Sequence, residues 1–223
     1  MEADALLAEQ IRYYRQRAPE YDDWWFRRGR YDLGPEGNAR WFAETAEVEA
    51  ALERFRPAGA VLELACGTGL WTRHLVGHAD RVTAVDASPE AIAINRTRVG
   101  DPKVEYVEAD VFDWRPDRVY DACFFGFWLS HVPESRFDEF WALVRAALAP
   151  DGRVFLVDSH RGDGAHTVPG GPDVEVRRLL DGREFRIVKR YYEPRALEER
   201  LAALGRRLTV ATTAGGSLLY AWG

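Results

Sequence analysis

Cysteine is nearly absent from this sequence. Its 223 residues include only two, Cys66 and Cys123, too few for a disulfide framework or a cysteine-rich zinc site. One lies in a glycine-rich stretch and the other in an apolar run, so neither has a partner at metal-ligand spacing. We therefore expect a reducing compartment, no disulfide and no bound metal.

An excess of positive charge and a long apolar run are also missing. The net charge of −6 gives no electrostatic footprint for nucleic acid. The longest apolar run, residues 122–129, is far shorter than the roughly 20 residues that a membrane-spanning helix needs. The chain begins Met-Glu-Ala-Asp, with acids where a secretion signal is basic. These absences predict a cytoplasmic protein that binds neither nucleic acid nor membrane, and they leave a homodimer open.

Alternating helical and strand patterns follow an N-terminal region. Helical periodicity covers residues 4–17 and 38–55. Strands are predicted at 60–65, 81–86, 103–108, 119–125 and 153–158, with helices at 70–77, 89–99 and 134–148. The tail predicts a hairpin with arms 174–180 and 184–191, a helix at 194–204, and strands at 207–213 and 217–222. This order predicts an α/β fold, with a mostly parallel sheet between helices and an antiparallel edge strand.

The stretch from Val61 to Thr72, Val-Leu-Glu-Leu-Ala-Cys-Gly-Thr-Gly-Leu-Trp-Thr, carries the strongest functional signal. It combines a buried strand, a turn with Gly67 and Gly69, and a helix start whose backbone N–H groups are unpaired. Glu63 disfavours a phosphate and favours a cationic or amino-bearing ligand. A dinucleotide fingerprint is absent, because its third glycine position is occupied by Thr72.

This stretch resembles the first motif of the class I S-adenosylmethionine-dependent methyltransferases, with Ala65 in place of the first glycine. The resemblance covers residues 38–223 and implies a Rossmann-like, doubly wound, seven-stranded sheet. It also implies S-adenosylmethionine as cofactor. Residues 1–37 then form an N-terminal helix and lid segment, and the 174–191 hairpin is an insertion in the methyltransferase domain.

Two further acids follow predicted strands, where open α/β sheets bind ligands. Asp86 ends the second strand at the spacing typical of a ribose-binding carboxylate; a helix N-cap is the alternative, but Ser88 already suits that role. The family resemblance assigns Asp110 to the adenine amino group, and an ordinary polar strand end is the alternative. The predicted cofactor contacts are Glu63, Ala65, Gly67, Thr68, Gly69, Asp86, Ala87, Asp110, Val111, Phe112 and Gly126, with Tyr14 and Tyr21 from the lid.

The acceptor side is less constrained, because methyl transfer mainly requires in-line positioning and exclusion of water. His131 and His160 are the candidate bases; packing is the alternative for His131, and a solvated loop for His160. The predicted acceptor contacts are Trp24, Trp25, Tyr31, His160 and Arg161. Neighbouring arginines, including Arg27, bind a carboxylate or face water.

Together these features predict a metal-independent methyltransferase. Its acceptor is expected to be the O or N atom of a small aromatic or heterocyclic metabolite. The alternative is a protein that uses S-adenosylmethionine for another reaction or only as a ligand.

Overall fold

The computed structural model describes residues 2–160, 167–171 and 173–223. Its centre is a seven-stranded sheet in the order β3-β2-β1-β4-β5-β10-β9. The first five of these strands are parallel, and β10 runs antiparallel to both β5 and β9. The predicted doubly wound, mostly parallel sheet is confirmed, with its antiparallel pair, β10 and β9, at one edge.

The elements of this fold have the following bounds. The helices are α1 (Glu2–Arg17), α2 (Tyr21–Trp25), α3 (Gly34–Phe55), α4 (Thr72–Leu75), α5 (Pro89–Val99), α6 (Phe137–Ala147) and α7 (Pro194–Ala203). The strands are β1 (Gly59–Leu64), β2 (Ala79–Asp86), β3 (Val104–Glu108), β4 (Tyr120–Gly126), β5 (Leu148–Ser159), β6 (Thr167–Gly171), β7 (Val174–Arg178), β8 (Glu184–Val188), β9 (Thr209–Thr212) and β10 (Leu218–Trp222).

The central strands are buried on both faces, because helices cover the sheet on each side. In β4, Phe124 belongs to one apolar cluster and Phe125 to another. Alternate side chains of a strand point to opposite faces, so the apolar run of β4 contributes to both layers of the core. Both cysteines are buried and free.

The predicted hairpin forms a second sheet with β6, a strand that the sequence analysis did not predict. Helix α1 docks on this three-stranded sheet: Gln10 Oε1 accepts a hydrogen bond from the Val188 N–H at 3.0 Å, and Tyr13 packs against Phe185 with ring centroids 5.7 Å apart. The N-terminal segment and the hairpin, distant in sequence, thus form one structural unit, which we call the cap.

The N-terminal segment is not one continuous helix. After α1 the chain forms a 3₁₀ turn at Ala18–Glu20, the short helix α2, and a second 3₁₀ turn at Gly29–Tyr31. Helix α3 begins at Gly34, four residues before the predicted start, because Pro35 occupies its first turn and suits that position. Helix α4 is much shorter than the predicted 70–77.

Candidate active site

One cavity lies at the carboxyl ends of β1, β2 and β4, under the cap, and has a volume of about 90 Å³. Predicted cofactor residues line most of it. The predicted cofactor residues that line this cavity are Tyr14, Tyr21, Ala65, Gly67, Thr68, Asp86, Ala87, Asp110, Val111 and Gly126. Because most of these residues follow the expected strands, with Tyr14 and Tyr21 added from the cap, we call it the cofactor cavity.

The turn after β1 has the backbone geometry that its glycines favour. Gly67 has a φ of +53° and no heavy atom near the position of an added Cβ. Gly69 does not line the cofactor cavity; an added Cβ there would lie 2.5 Å from the Asn95 side-chain oxygen on α5. Ala65 has a φ of +53°, an uncommon value for a residue with a side chain. This strain shows that the turn conformation is imposed by the surrounding fold.

Asp86 ties two backbone segments of the cofactor cavity together. Its carboxylate accepts hydrogen bonds from the Gly67 and Ser88 N–H groups, both at 2.8 Å. The Ser88 hydroxyl accepts from the Ala91 N–H at 3.1 Å and caps α5, so Asp86 is not the helix cap. Burial raises the pKa of Asp86 despite these hydrogen bonds. A carboxylate has about four acceptor sites, so capacity for a ligand hydroxyl remains.

Glu63 lies beneath the glycine turn rather than in the cofactor cavity. It lines a separate pocket of about 30 Å³ with Tyr21 and Phe127. Its carboxylate accepts a hydrogen bond from the Thr72 hydroxyl at 2.7 Å. Desolvation of this buried group raises its pKa to about 8. A cationic ligand group beside it favours the charged carboxylate and lowers that pKa.

The residues after β3 divide between two places. Asp110 and Val111 line the cofactor cavity, and the Asp110 carboxylate accepts from the Phe112 N–H at 2.9 Å. The Phe112 ring does not line this cavity. It packs 6.1 Å from the Trp128 ring and beneath the Arg136 guanidinium, whose central carbon is 3.9 Å from its centroid. Phe112 is therefore a predicted cofactor residue that lies outside the cofactor cavity.

A polar latch joins the cap to the glycine turn. The Thr68 hydroxyl donates to Asp22 at 2.7 Å. Arg98 on α5 bonds both the Asp22 carboxylate and the Thr68 carbonyl. The latch therefore holds α2 over the cofactor cavity.

A second cavity adjoins the first and has a volume of about 320 Å³. We call it the acceptor cavity. Five cationic side chains line it, and none of its described lining residues is Asp or Glu. The cations are Arg17, Arg27, Arg40, Arg177 and Lys189, and the ring-bearing walls are Tyr14, Tyr21, Trp24, Trp41, Phe127, His131 and Tyr191.

The two cavities meet at a junction of four residues that line both: Tyr14, Tyr21, Phe127 and His131. His131 Nδ1 is 2.6 Å from the Val188 carbonyl oxygen, and its Nε2 is 2.8 Å from the Tyr14 hydroxyl. A carbonyl only accepts, so Nδ1 carries the proton in the neutral ring and Tyr14 donates to Nε2. Burial and Lys189 hold the pKa of His131 well below its usual value. The ring is therefore neutral and its tautomer is fixed.

The predicted acceptor contacts are only partly found in the acceptor cavity. Trp24 lines it, whereas Trp25 and Tyr31 are buried outside it. His160 also lies outside the cavity. Its backbone N–H donates to the Ser217 carbonyl, and its ring Nδ1 lies 3.2 Å from the Tyr192 carbonyl oxygen. Arg161 lies outside the described residues. His131, the other candidate base, is at the junction.

Several cavity residues were missed by the sequence analysis. Arg17, Arg40, Arg177 and Lys189 come from α1, α3, β7 and the residue after β8. No local pattern connects them, and only tertiary packing brings them together. Phe127, the fifth, directly follows Gly126, and its φ of +53° is visible only in the structure.

No described group of three or more His, Cys, Asp or Glu residues could hold a metal ion. In the described part of the chain no helix is both long and apolar enough to cross a membrane. The sheet order, the glycine turn and the acids at successive strand ends are typical of enzymes that use S-adenosylmethionine.

Comparison with known proteins gives the same class. A family model described as a methyltransferase domain matches residues 61–152. The solved DhpI-SAM-HEP complex is 43% identical, with a TM-score of 0.80, and the match covers 97% of this chain and 96% of that chain. The same protein's complex with SAH gives 44% identity and a TM-score of 0.79, covering 97% and 95%.

Two curated relatives match over shorter regions. A ubiquinone biosynthesis O-methyltransferase of Xanthomonas axonopodis pv. citri (strain 306) is 31% identical over 141 residues, 60% of this chain and 57% of the relative. A trans-aconitate 2-methyltransferase of Escherichia coli O1:K1 / APEC is 35% identical over 98 residues, 38% of each. The chain thus spans about half the length, or less, of these curated relatives.

The chain belongs to the class I S-adenosylmethionine-dependent methyltransferases. It is an enzyme that uses S-adenosylmethionine to methylate a small molecule.

Proposed function

We propose that this enzyme transfers the methyl group of S-adenosylmethionine to an acidic oxygen of a small anionic metabolite. The observation that carries the proposal is the acceptor cavity lined by cations, which meets the cofactor cavity at a shared junction. An ionised carboxylate, phosphate or phosphonate oxygen is already a nucleophile. It therefore needs no general base, only alignment with the methyl carbon and the sulfur.

Arg17 is the strongest support for an anionic acceptor. Its guanidinium is buried, and its central carbon lies 5.6 Å, 5.0 Å and 5.9 Å from the rings of Tyr13, Tyr21 and Tyr31. Its one described hydrogen bond is a 3.4 Å contact to the Tyr31 hydroxyl, and its Nε has no hydrogen-bond partner. A buried charge needs a counter-charge. An acceptor anion supplies it.

Lys189 and Arg177 extend this positive wall. Lys189 Nζ donates to the Ser130 hydroxyl at 2.8 Å and lies 3.6 Å from the Asp158 carboxylate. Arg177 pairs with Glu175 at 2.7 Å. Neither carboxylate lines the acceptor cavity, so the acids position the two cations from behind. Burial lowers the pKa of Lys189, and an anion in the cavity favours its charged form.

On the cofactor side, we propose that Asp86 binds the ribose hydroxyls and Asp110 the adenine amino group. Glu63 receives the ammonium of the methionine part, directly or through water. The supporting observations are the positions of Asp86 and Asp110 on the cavity wall and the absence of a cationic side chain at Glu63 among its described contacts. The cap, held by the Asp22 latch, excludes water from the transfer.

A second candidate is the planar aromatic or heterocyclic acceptor, methylated on O or N, that the sequence predicted. Trp24, Trp41 and Tyr191 line the acceptor cavity and offer ring faces for stacking. Such an acceptor leaves the buried Arg17 charge unmatched unless it also carries an acid. The anionic acceptor therefore has the stronger physical support.

The names of relatives include both nitrogen and oxygen acceptors, and a relative from Streptomyces fradiae is named dTDP-3-amino-3,6-dideoxy-alpha-D-glucopyranose N,N-dimethyltransferase. One relative is named for the methylation of trans-aconitate, a small carboxylate. Another is named an O-methyltransferase.

The test is transfer of a ¹³C-labelled methyl group to a panel of small carboxylates, phosphates and phosphonates, each paired with its neutral amide or ester. We expect labelled product only from the acids, with NMR locating the methyl on an acidic oxygen. The Arg17→Gln enzyme, which retains the cofactor cavity, is the control and should give little product. Labelling of a nitrogen, or of neutral and acidic acceptors alike, would overturn the proposal.

A further inference from the structure

The five cations of the acceptor cavity form two groups on different elements. Arg17, Arg177 and Lys189, the inner group, are the charges that act on the junction residue His131. The other two cations, the outer pair, are Arg27, which follows α2, and Arg40, which lies on α3. Leu33, Gly37 and Trp41, which are near these two arginines in sequence, also line the cavity. The inner group and the outer pair therefore supply positive charge to the cavity from separate elements.

The backbone at Arg27 is strained where this residue forms part of the cavity wall. Its φ is +54°, a left-handed value that is uncommon for residues other than glycine. The side chain is buried, and its guanidinium carbon lies 3.6 Å from the Trp41 ring centroid. Strain of this kind persists where the surrounding fold imposes it and is concentrated at functional sites. The fold thus holds a cation flat against the cavity wall.

Arg40 has a different environment from that of Arg27. It is exposed on the α3 helix, one residue before Trp41, and it lines the cavity. The cavity volume of about 320 Å³ falls in the range of pockets that enclose a whole small ligand. Space and charge therefore both extend beyond the inner group.

We infer that the acceptor carries a second acidic group, which Arg27 and Arg40 bind while the inner group holds the acid at the junction. The substrate class is a small metabolite with two acids. This inference rests on the proposed function, because it assumes that an acid occupies the inner group. Binding at two points fixes the orientation of the acceptor, so one acid faces the methyl group and the other does not.

The test compares matched probes by calorimetric titration of the enzyme loaded with S-adenosylhomocysteine. Ethylphosphonate is paired with 3-phosphonopropionate, and butyrate with glutarate, so each pair differs by one carboxylate. Two points of attachment predict about tenfold tighter binding for the two-acid member, the increment of one charge-assisted contact. Arg40→Gln should remove that advantage and leave one-acid affinity unchanged.

Arg54→Gln is the matched control, because Arg54 is an exposed arginine in the last turn of the same helix. It should behave as the unaltered enzyme, and thermal unfolding should show all three proteins to be equally folded. Equal affinity for one-acid and two-acid probes, or indifference to Arg40→Gln, would overturn the second acid but leave the proposed function standing. Failure of every acid to bind would overturn both.

Discussion

The cofactor cavity and the acceptor cavity adjoin but have opposite electrostatic character. Rings line both, but the described lining of the first has two acids, Asp86 and Asp110, and no Lys or Arg, whereas that of the second has five cations and no Asp or Glu. A positively charged sulfonium donor and an anionic acceptor match these linings. Transfer converts both charged reactants into products without those charges, so the same complementarity favours release. The opposite charges of the two linings therefore favour both binding of the reactants and release of the products in the proposed reaction.

The largest expected effect follows from removing the buried charge of the acceptor cavity. Arg17→Gln should lower kcat/KM for the acid acceptor by about 100-fold, the loss of a charge-assisted contact worth about 3 kcal/mol. Affinity for S-adenosylmethionine should be unchanged. Steady-state kinetics and calorimetry on one preparation give both quantities.

Arg15→Gln is the control, since Arg15 lies two residues away on α1 and pairs with the exposed Glu90 at 3.3 Å. Without ligand, Arg17→Gln should also be at least as stable as the unaltered enzyme, because an unmatched buried charge is removed. If Arg17→Gln weakened binding of the cofactor as much as binding of the acceptor, the two cavities would not have separate roles.

The converse substitution acts on the cofactor cavity. Asp86→Asn should weaken S-adenosylmethionine and S-adenosylhomocysteine by about 1–3 kcal/mol through loss of charge-assisted hydrogen bonds. Affinity of the cofactor-loaded enzyme for a small acid should remain. Calorimetric titration measures both, and unchanged affinity for the cofactor would place Asp86 outside its site.

The junction should respond differently from either cavity. Tyr14→Phe removes the donor to His131 Nε2 and leaves that buried nitrogen without its described partner. We expect kcat to fall about tenfold, or about 1.4 kcal/mol, with little change in either binding constant. Single-turnover kinetics measure the transfer step, and a purely structural role for Tyr14 would instead lower stability without slowing transfer in the folded enzyme.

The two cavities are also built differently from the chain, and this explains which of their residues the sequence could predict. The cofactor cavity is built from strand ends, so the order of strands, the glycine turn, Asp86 and Asp110 were all visible as local patterns. Phe112 lies outside the cofactor cavity because adjacent residues after β3 point to different surroundings. The acceptor cavity depends on Arg17, Arg177 and Lys189, which only the docking of α1 on the second sheet brings together. His160 follows the predicted strand, but its ring is bound to the Tyr192 carbonyl outside the cavity.

The smallest effect concerns pH and Glu63. Burial raises its pKa to about 8 in the folded enzyme, so the unfolded chain releases this proton at lower pH. The contribution of Glu63 to stability is therefore complete below about pH 4.5 and is lost as pH rises towards 8. Glu63→Gln should flatten this dependence, giving a Tm difference of a few degrees that grows with pH. A Tm difference independent of pH would mean that Glu63 is ionised throughout.

The sulfonium charge itself provides the most direct test of two oppositely charged cavities that meet at one junction. The affinity of methylphosphonate is measured on enzyme loaded with S-adenosylhomocysteine and on enzyme loaded with an unreactive analogue that has a protonated amine in place of the sulfonium. An added positive charge at the junction should tighten binding of the acid about fivefold, or about 1 kcal/mol at the effective dielectric of a partly buried site. Equal or weaker binding beside the charged analogue would contradict the account.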